Sequence, residues 1–266
     1  YDGLKLQPYD NNPIVLNCRW MEDSASVLKE IKNGDEVIYM HYDNKPDRVE
    51  RLEVLYEDNH IIVVYKPANI LSQGDATHDK DMLTIIKEYL KEKYHKPGNV
   101  FLGLVHRLDR PVQGVMVFAK TSKAASRITK QIQNHDFHKQ YLAIINGIIP
   151  EKKGEFCDYL EKKSDGNTIV SDSVHGKKSI LKYEVLKEKE NYSLVNIELI
   201  TGRHHQIRVQ FSSRGYPLVG DQRYGKQDFK QICLCSYQLS FLHPITKERM
   251  TFERYPDKDN NWNLFF

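Results

Sequence analysis

The stretch VHRLDRPVQGVMVFAKT, residues 105–121, constrains the fold of this chain more than any other segment. It sets His106, Arg107, Asp109 and Arg110 between two apolar runs, with Phe101, Leu102, Leu104 and Val105 ahead and Val115 to Phe118 behind. Runs of this kind read as strands that enter a core. A carboxylate at their junction therefore needs a reason to be there. On a strand, Arg107 and Asp109 share one face, so a guanidinium and a carboxylate would meet one ligand. Gly114 is expected to permit a sharp reversal before the next strand. Taken alone, the block reads equally as an Asp closing a turn between exposed arginines.

The remainder of the chain from residue 52 is strand-rich. LEVLYEDNHIIVVYKP places two apolar runs around Glu57-Asp58-Asn59-His60 and predicts a hairpin. MLTIIKEYLKEKY has helical apolar spacing, and TSKAASRITKQIQNHDF reads as a second helix capped by Thr121 or Ser122. FLGLVHRLD, GVMVFAK and QYLAIINGIIP predict strands, as do the two halves of SILKYEVLKEKENYSLVNIELITG. HHQIRVQFSSRG predicts a helix ending at Gly215, and QICLCSYQLSFLHP and ERMTFERYP predict closing strands. The expected fold class is α+β: a mixed, mainly antiparallel sheet with flanking helices in one main domain, residues 51–266. Residues 1–50 read as an accessory segment. It holds a short strand in IVLNCRW, a helix through SASVLKEIKNG closed by Gly34, and a polar linker, MHYDNKPDRVE.

Composition narrows the chemistry without deciding it. The 266 residues are 40% hydrophobic, enough for one sizeable core. Lysines and arginines number 39 against 36 acidic residues, so the net charge of +3 permits a nucleic-acid partner only if basic groups cluster. Cys18, Cys157, Cys233 and Cys235 match neither a zinc pattern nor a secreted disulfide framework, which points to a reducing, cytoplasmic compartment. No apolar run approaches the roughly 20 residues that span a bilayer. The opening YDGLKLQPYDNNP lacks signal-peptide shape.

A second ionic block, TGRHHQIRVQFSSRGYPLVGDQRYG, places Arg203, His204, His205, Gln206 and Arg208 just after a predicted strand. Gly202 is expected to open a helix whose N-terminus attracts anions. Arg203 and Arg208, five apart, would project from different sides, one to a phosphate and one inward to a carboxylate. Adjacent His204 and His205 cannot both ligate one metal from a helix, so no metal site is expected. Alone, this block too reads as a solvated basic helix.

Taken together, the blocks resemble a known family. VHRLDRPVQGVMVFAKT looks like the HRLD-containing catalytic loop of RluA-type pseudouridine synthases, and TGRHHQIRVQFSSRGYPLVGDQRYG resembles that family's second signature. EDNHIIVVYKPANILSQGD is similar to its first hairpin, with Lys66-Pro67 before a loop, and ICLCSYQLSFLHPITKERMTFE to its closing strands. The likeness runs from about residue 52 to 255 in the family's order. It implies the pseudouridine synthase type of sheet, with Asp109 as the catalytic aspartate, Tyr141 stacking on the target uracil, and Arg208 pairing with Asp109. Arg107 would fill the space of a flipped base, Leu234 would pack near that base, and Arg203 would bind substrate. Three departures bear on the pocket. Val112-Gln113 stands where the family usually has Thr-Ser, His204 where a Thr is common, and Leu234-Cys235-Ser236 in place of Leu-His-Ala.

The implied reaction breaks the N1–C1′ bond of uridine, turns the uracil and joins C5 to C1′. No atoms enter or leave, so no cofactor is expected. One ionised Asp does the critical step, by attack at C1′ or by taking a proton from C2′, and a fixed arginine keeps it ionised where burial would raise its pKa. Further phosphate contacts are expected from Lys123, Lys130, Lys139 and Arg214. The expected partner is RNA, with ribosomal RNA favoured over transfer RNA, and a monomer is expected. Two rivals stand. One is a non-catalytic RNA-binding or assembly protein on the same surface. The other is a glycosidic hydrolase, which needs a second carboxylate beside Asp109, and the signatures offer no such partner.

Overall fold

The computed structural model describes residues 7–9, 12–15, 52–77, 79–225, 231–258 and 260–266. The chain divides into two compact units, Tyr1–Arg48 and Val49–Phe266. In the first, β1 (Gln7–Tyr9) pairs antiparallel with β2 (Asn12–Val15). The strand expected in IVLNCRW includes Ile14 and Val15, and the rest of that stretch lies outside the described residues. The helix expected over SASVLKEIKNG and the linker MHYDNKPDRVE lie outside the described residues.

The second unit is built on one large sheet. Its first hairpin is β3 (Glu53–Glu57) and β4 (Ile61–Lys66), paired antiparallel as the apolar runs predict. Helix α1 (Met82–Lys93) follows, capped by Asp81, whose carboxylate accepts from the Leu83 and Thr84 amides. Then come β5 (Gly103–Leu104), β6 (Gln113–Ala119) and α2 (Ser122–Gln133), the helix capped by Thr121. Strands β7 (His138–Asn146), β8 (Lys153–Lys162), β9 (Thr168–Ser171), β10 (Lys177–Lys189) and β11 (Tyr192–Leu199) lead to the short helix α3 (Gln206–Ser212). The chain closes with β12 (Leu234–Leu242), β13 (Arg249–Glu253) and a 3-10 turn at Asn260–Leu264.

The sheet order is β3-β4-β6-β12-β7-β11-β10-β8-β9, with β5 pairing β6 and β13 pairing β12. Among the described strands, β6–β12 is the parallel neighbour and the other pairings are antiparallel. The mixed, mainly antiparallel α+β architecture is the one the strand pattern predicts. The β8–β9 hairpin was not read from the sequence. Its burial alternates irregularly, with Glu and Lys on a largely exposed strand, so the period-2 signal is weak.

Both faces of the central strands are covered. Alternate residues of β4 and β6 feed two cores: Ile62, Val64, Met116 and Phe118 face α1 and α3, while Ile61, Val63, Val115 and Val117 face α2 and Trp262. That two-sided burial explains why β4 and β6 are continuous apolar runs. Each fully buried side chain of this size contributes about 1.5–3 kcal/mol.

Gly114 is needed for a different reason than a reversal. It sits inside β6, opposite Ser236 in the parallel pair, with φ +143. A Cβ there would lie 2.5 Å from the Ser236 carbonyl oxygen and 2.6 Å from its nitrogen. Glycine thus lets β6 and β12 approach, and Gly114→Ala is expected to cost about 3 kcal/mol, measured by urea unfolding.

The charged turn at Glu57 ties the sheet to α1. Its nearly buried carboxylate accepts from Lys93 Nζ and Lys120 Nζ, each at 2.6 Å, from Tyr94 Oη at 2.7 Å and from Tyr89 Oη at 3.1 Å. Burial opposes its charge, but Lys120, Lys93 and Tyr94 outweigh that and hold the pKa at about 2. A carboxyl depressed on folding contributes stability above its unfolded pKa and loses it as pH falls through the folded value. Glu57→Gln should therefore lower stability by about 1–3 kcal/mol at neutral pH. The difference from wild type should close as pH falls from about 4.5 to 2, read from thermal melts across that range.

Candidate active site

The sequence places Arg107 and Asp109 on a strand, whereas the structure ends β5 at Leu104 and leaves residues 105–112 as a loop. The loop is nonetheless fixed. Ser72 Oγ donates to the Leu108 carbonyl at 2.7 Å and accepts from its amide at 3.1 Å. Val112 N–H closes a turn onto the Asp109 carbonyl, and Gln231 donates to Pro111. Fully buried Lys66 spends its ammonium on the carbonyls of Pro67, Ile70 and Arg110. Burial pulls Lys66 down to about 7, against the pull of the Asp109 charge. Leu108 turns into the core, Arg107 stays exposed, and Asp109 projects with 29% of its side chain accessible.

Helix α3 supplies the opposing wall. Gly202 does not open it; His205 stands at its N-cap in the left-handed region, φ 51, and the helix runs from Gln206. Gln206 secures this start by accepting from Thr201 Oγ1 and the Arg203 amide and by donating to the Ile180 carbonyl and to Gln210. Six of the helix's seven residues are buried, Arg208 among them.

Arg208 reaches Asp109, but its tighter partner is another residue. Its Nη1 lies 3.4 Å from Asp109 Oδ2, whereas Nε and Nη2 donate to Asp221 at 2.8 and 2.7 Å. Asp221 is fully buried, and its Oδ1 also accepts from the Arg223 and Tyr224 amides. Burial opposes the Arg208 charge, yet Asp221 and then Asp109 hold its pKa above the usual range. The expected Arg208–Asp109 pair thus becomes a triad in which Asp221 anchors the arginine. The second signature does hold an acid, contrary to the sequence reading. With both oxygens bound and no exposure, Asp221 is not placed to protonate a leaving group.

These residues border a cavity of about 810 Å³ lined by Arg107, Asp109, Tyr141, Arg203, Arg208 and Leu234, with Val112 and Lys139. All six predicted site residues therefore meet at one place. Tyr141 on β7 and Leu234 on β12 are both buried, and burial together with the nearby Asp109 charge raises the Tyr141 phenol. Arg203 is exposed and donates from Nε to the Lys178 carbonyl at 3.3 Å. Val112, one of the departures, is a buried part of the wall. Of the four proposed phosphate contacts, Lys139 lines the cavity, pulled down to about 8 by burial, while Lys123 and Lys130 are exposed on α2. Arg214 is committed elsewhere, ion-paired to Asp158 at 2.9 Å over the Phe156 ring. Among the described residues, no group of three or more His, Cys, Asp or Glu is gathered to hold a metal, and no helix is long and apolar enough to cross a membrane.

With this geometry in view, the comparisons converge. The family model described as RNA pseudouridylate synthase matches residues 60–213. The chain belongs to this family. Its members are isomerases of RNA uridine, and the chain is an RNA pseudouridine synthase by membership. It is 32% identical over 232 residues to a ribosomal large subunit pseudouridine synthase D of Zymomonas mobilis, covering 81% of this chain and 72% of that one. It is 31% identical over 270 residues to an uncharacterized RNA pseudouridine synthase, YhcT, of Bacillus subtilis, covering 95% of this chain and 88% of the relative. That share cannot be reached from residues 51–266 alone, so the likeness extends into residues 1–50, beyond the range seen in the motifs. In fold, human RNA pseudouridylate synthase domain containing 4 superposes with a TM-score of 0.66 at 20% identity, over 77% of this chain and 89% of that one.

Losing the Arg208 guanidinium strands the buried Asp221 charge, so Arg208→Ala should destabilise by about 3–5 kcal/mol. Arg208→Lys should recover little, since an ammonium cannot span both Asp221 oxygens and Asp109. Asp109→Asn, at a partly exposed position, should leave the chemical denaturation midpoint nearly unchanged.

Proposed function

We propose that the chain converts a specific uridine of structured RNA to pseudouridine, with Asp109 as the reacting carboxylate. The observation that carries this reading is the placement of Asp109 in the wall of the cavity, 3.4 Å from an arginine whose position is fixed by a buried acid. The guanidinium faces the carboxylate oxygen that the reaction would use, and its charge is held there when a base closes over the site. Attack at C1′ and removal of the C2′ proton both need an ionised carboxylate. Tyr141 and Leu234 form an aromatic and aliphatic wall against which an extruded uracil stacks, recovering part of the few kcal/mol lost on unstacking. Exposed Arg107 is free in position to occupy the space the base leaves. Arg203 and Lys139 at the rim meet phosphates.

A binding protein without catalysis has no use for a carboxylate facing phosphates, which weighs against that rival. Ribosomal RNA is the favoured substrate, a choice supported by the name of the Zymomonas relative. The uridine should lie in a loop or bulge, where unstacking costs least. Residues 1–50 are proposed to add contacts that select the site.

Asp109→Asn should abolish pseudouridine formation while RNA affinity changes less than about twofold, because the amide keeps the shape and loses the reacting oxyanion. Chemical mapping of pseudouridine across total RNA, from cells with and without the gene, should show a lost site in ribosomal RNA. Persistence of activity in the Asn variant would sink the mechanism.

A further inference from the structure

We infer that His205 is a positioning residue that presents a neutral Nε2–H to Asp109, with its tautomer set by Tyr224. The inference rests on the reading of Asp109 as the reacting carboxylate. His205 lies between the two groups: Nδ1 is 2.7 Å from Tyr224 Oη, and Nε2 is 3.6 Å from Asp109 Oδ2. Tyr224 Oη accepts the Thr168 amide at 3.0 Å and keeps one proton to give, and in the inferred arrangement that proton goes to His205 Nδ1. A neutral imidazole that accepts at Nδ1 carries its proton on Nε2. A carboxylate only accepts hydrogen bonds, so the tautomer that Tyr224 sets is the one Asp109 can use, while at 3.6 Å Asp109 is too far to set it.

The surroundings hold the ring in place. It stacks on His204 with centroids 3.7 Å apart, and His204 Nδ1 is itself bonded to Thr168 Oγ1 at 2.9 Å. The backbone at His205 is left-handed, φ 51, at the N-cap of α3. Burial first, and then the Arg208 charge, pull its pKa down to about 2, so the ring is neutral at working pH. A neutral donor suits the task. Arg208 already faces Asp109 with a positive charge, and a second cation would stabilise the carboxylate further and blunt it as a nucleophile or base. An N–H instead fixes which oxygen faces the ribose. At 3.6 Å the contact is longer than a hydrogen bond, and contacts of this kind tighten when substrate closes the site. The chain of contacts also gives β9 a role: Thr168, at the edge of the sheet, orients the catalytic centre through Tyr224.

The test is the tautomer itself, read by long-range proton–nitrogen NMR on the full chain, with the His205 signals assigned by their loss in His205→Gln. The expected result is an Nε2–H imidazole near neutral pH. Tyr224→Phe should admit the Nδ1–H form and lower kcat about tenfold with KM within about twofold, while keeping the ring over Arg208. His205→Gln, which returns an amide N–H near the Nε2 position, should keep more of kcat than His205→Ala. An Nδ1–H tautomer or an imidazolium in the wild type overturns the inference. So does a Tyr224→Phe protein with unchanged tautomer, whatever its kcat. If instead Asp109→Asn remains active, the reading of Asp109 fails, and the NMR result stands apart from it.

Discussion

The buried pair between Arg208 and Asp221 is the contact on which the site depends. An arginine in a helix with six of seven residues buried would be an uncompensated charge without it, and α3 could not pack against the sheet. The pair is bidentate, so it fixes the plane of the guanidinium as well as its position. Two nitrogens face Asp221, and the third, Nη1, is thereby aimed at Asp109. A guanidinium facing the Asp109 carboxylate is thus built into the fold and held there by Asp221.

The loop that carries Asp109 is irregular yet heavily restrained, and its restraints come from different parts of the chain. Lys66 holds it from β4, Ser72 from the following loop, and Gln231 from the approach to β12. Each bond is to the backbone, so the loop's path is set while its side chains stay free to differ. This explains how Leu108 can be core, Arg107 exposed and Asp109 poised between them within three consecutive residues.

Much of this was legible in the sequence because apolar period and ionic blocks carry strong signals. The β4 and β6 runs and the two long helices follow from pattern alone, and the resemblance names Asp109, Tyr141, Arg208 and Leu234, which the fold gathers around one cavity. What escaped had no local signature. Asp221 sits in Val-Gly-Asp-Gln, a string that reads as a turn, and only the fold shows that it is buried against Arg208. The one available hint was an acid 13 residues beyond an inward-facing arginine. Tyr224 accepts from the Thr168 amide on β9 and touches His205 Nδ1, and β9 was itself missed because its exposed, charged partner strand lacks a clear period. Gly114 was singled out correctly but for the wrong cause, since a positive φ inside a strand arises from a neighbour, Ser236, 122 positions away.

That parallel contact between β6 and β12 also orders events in time. Asp109 leads into β6, while Leu234 and Asp221, the buried counter-ion of Arg208, lie more than 100 residues later, and the pairing that unites them is non-local. Such closures are slow to form because the loop entropy is lost before the contacts are gained. A chain emerging from the ribosome therefore carries its aspartate long before the arginine, its buried counter-ion and the far wall of the cavity exist. The cavity beside Asp109 is not complete until the chain has been made through Leu234 and has closed upon itself.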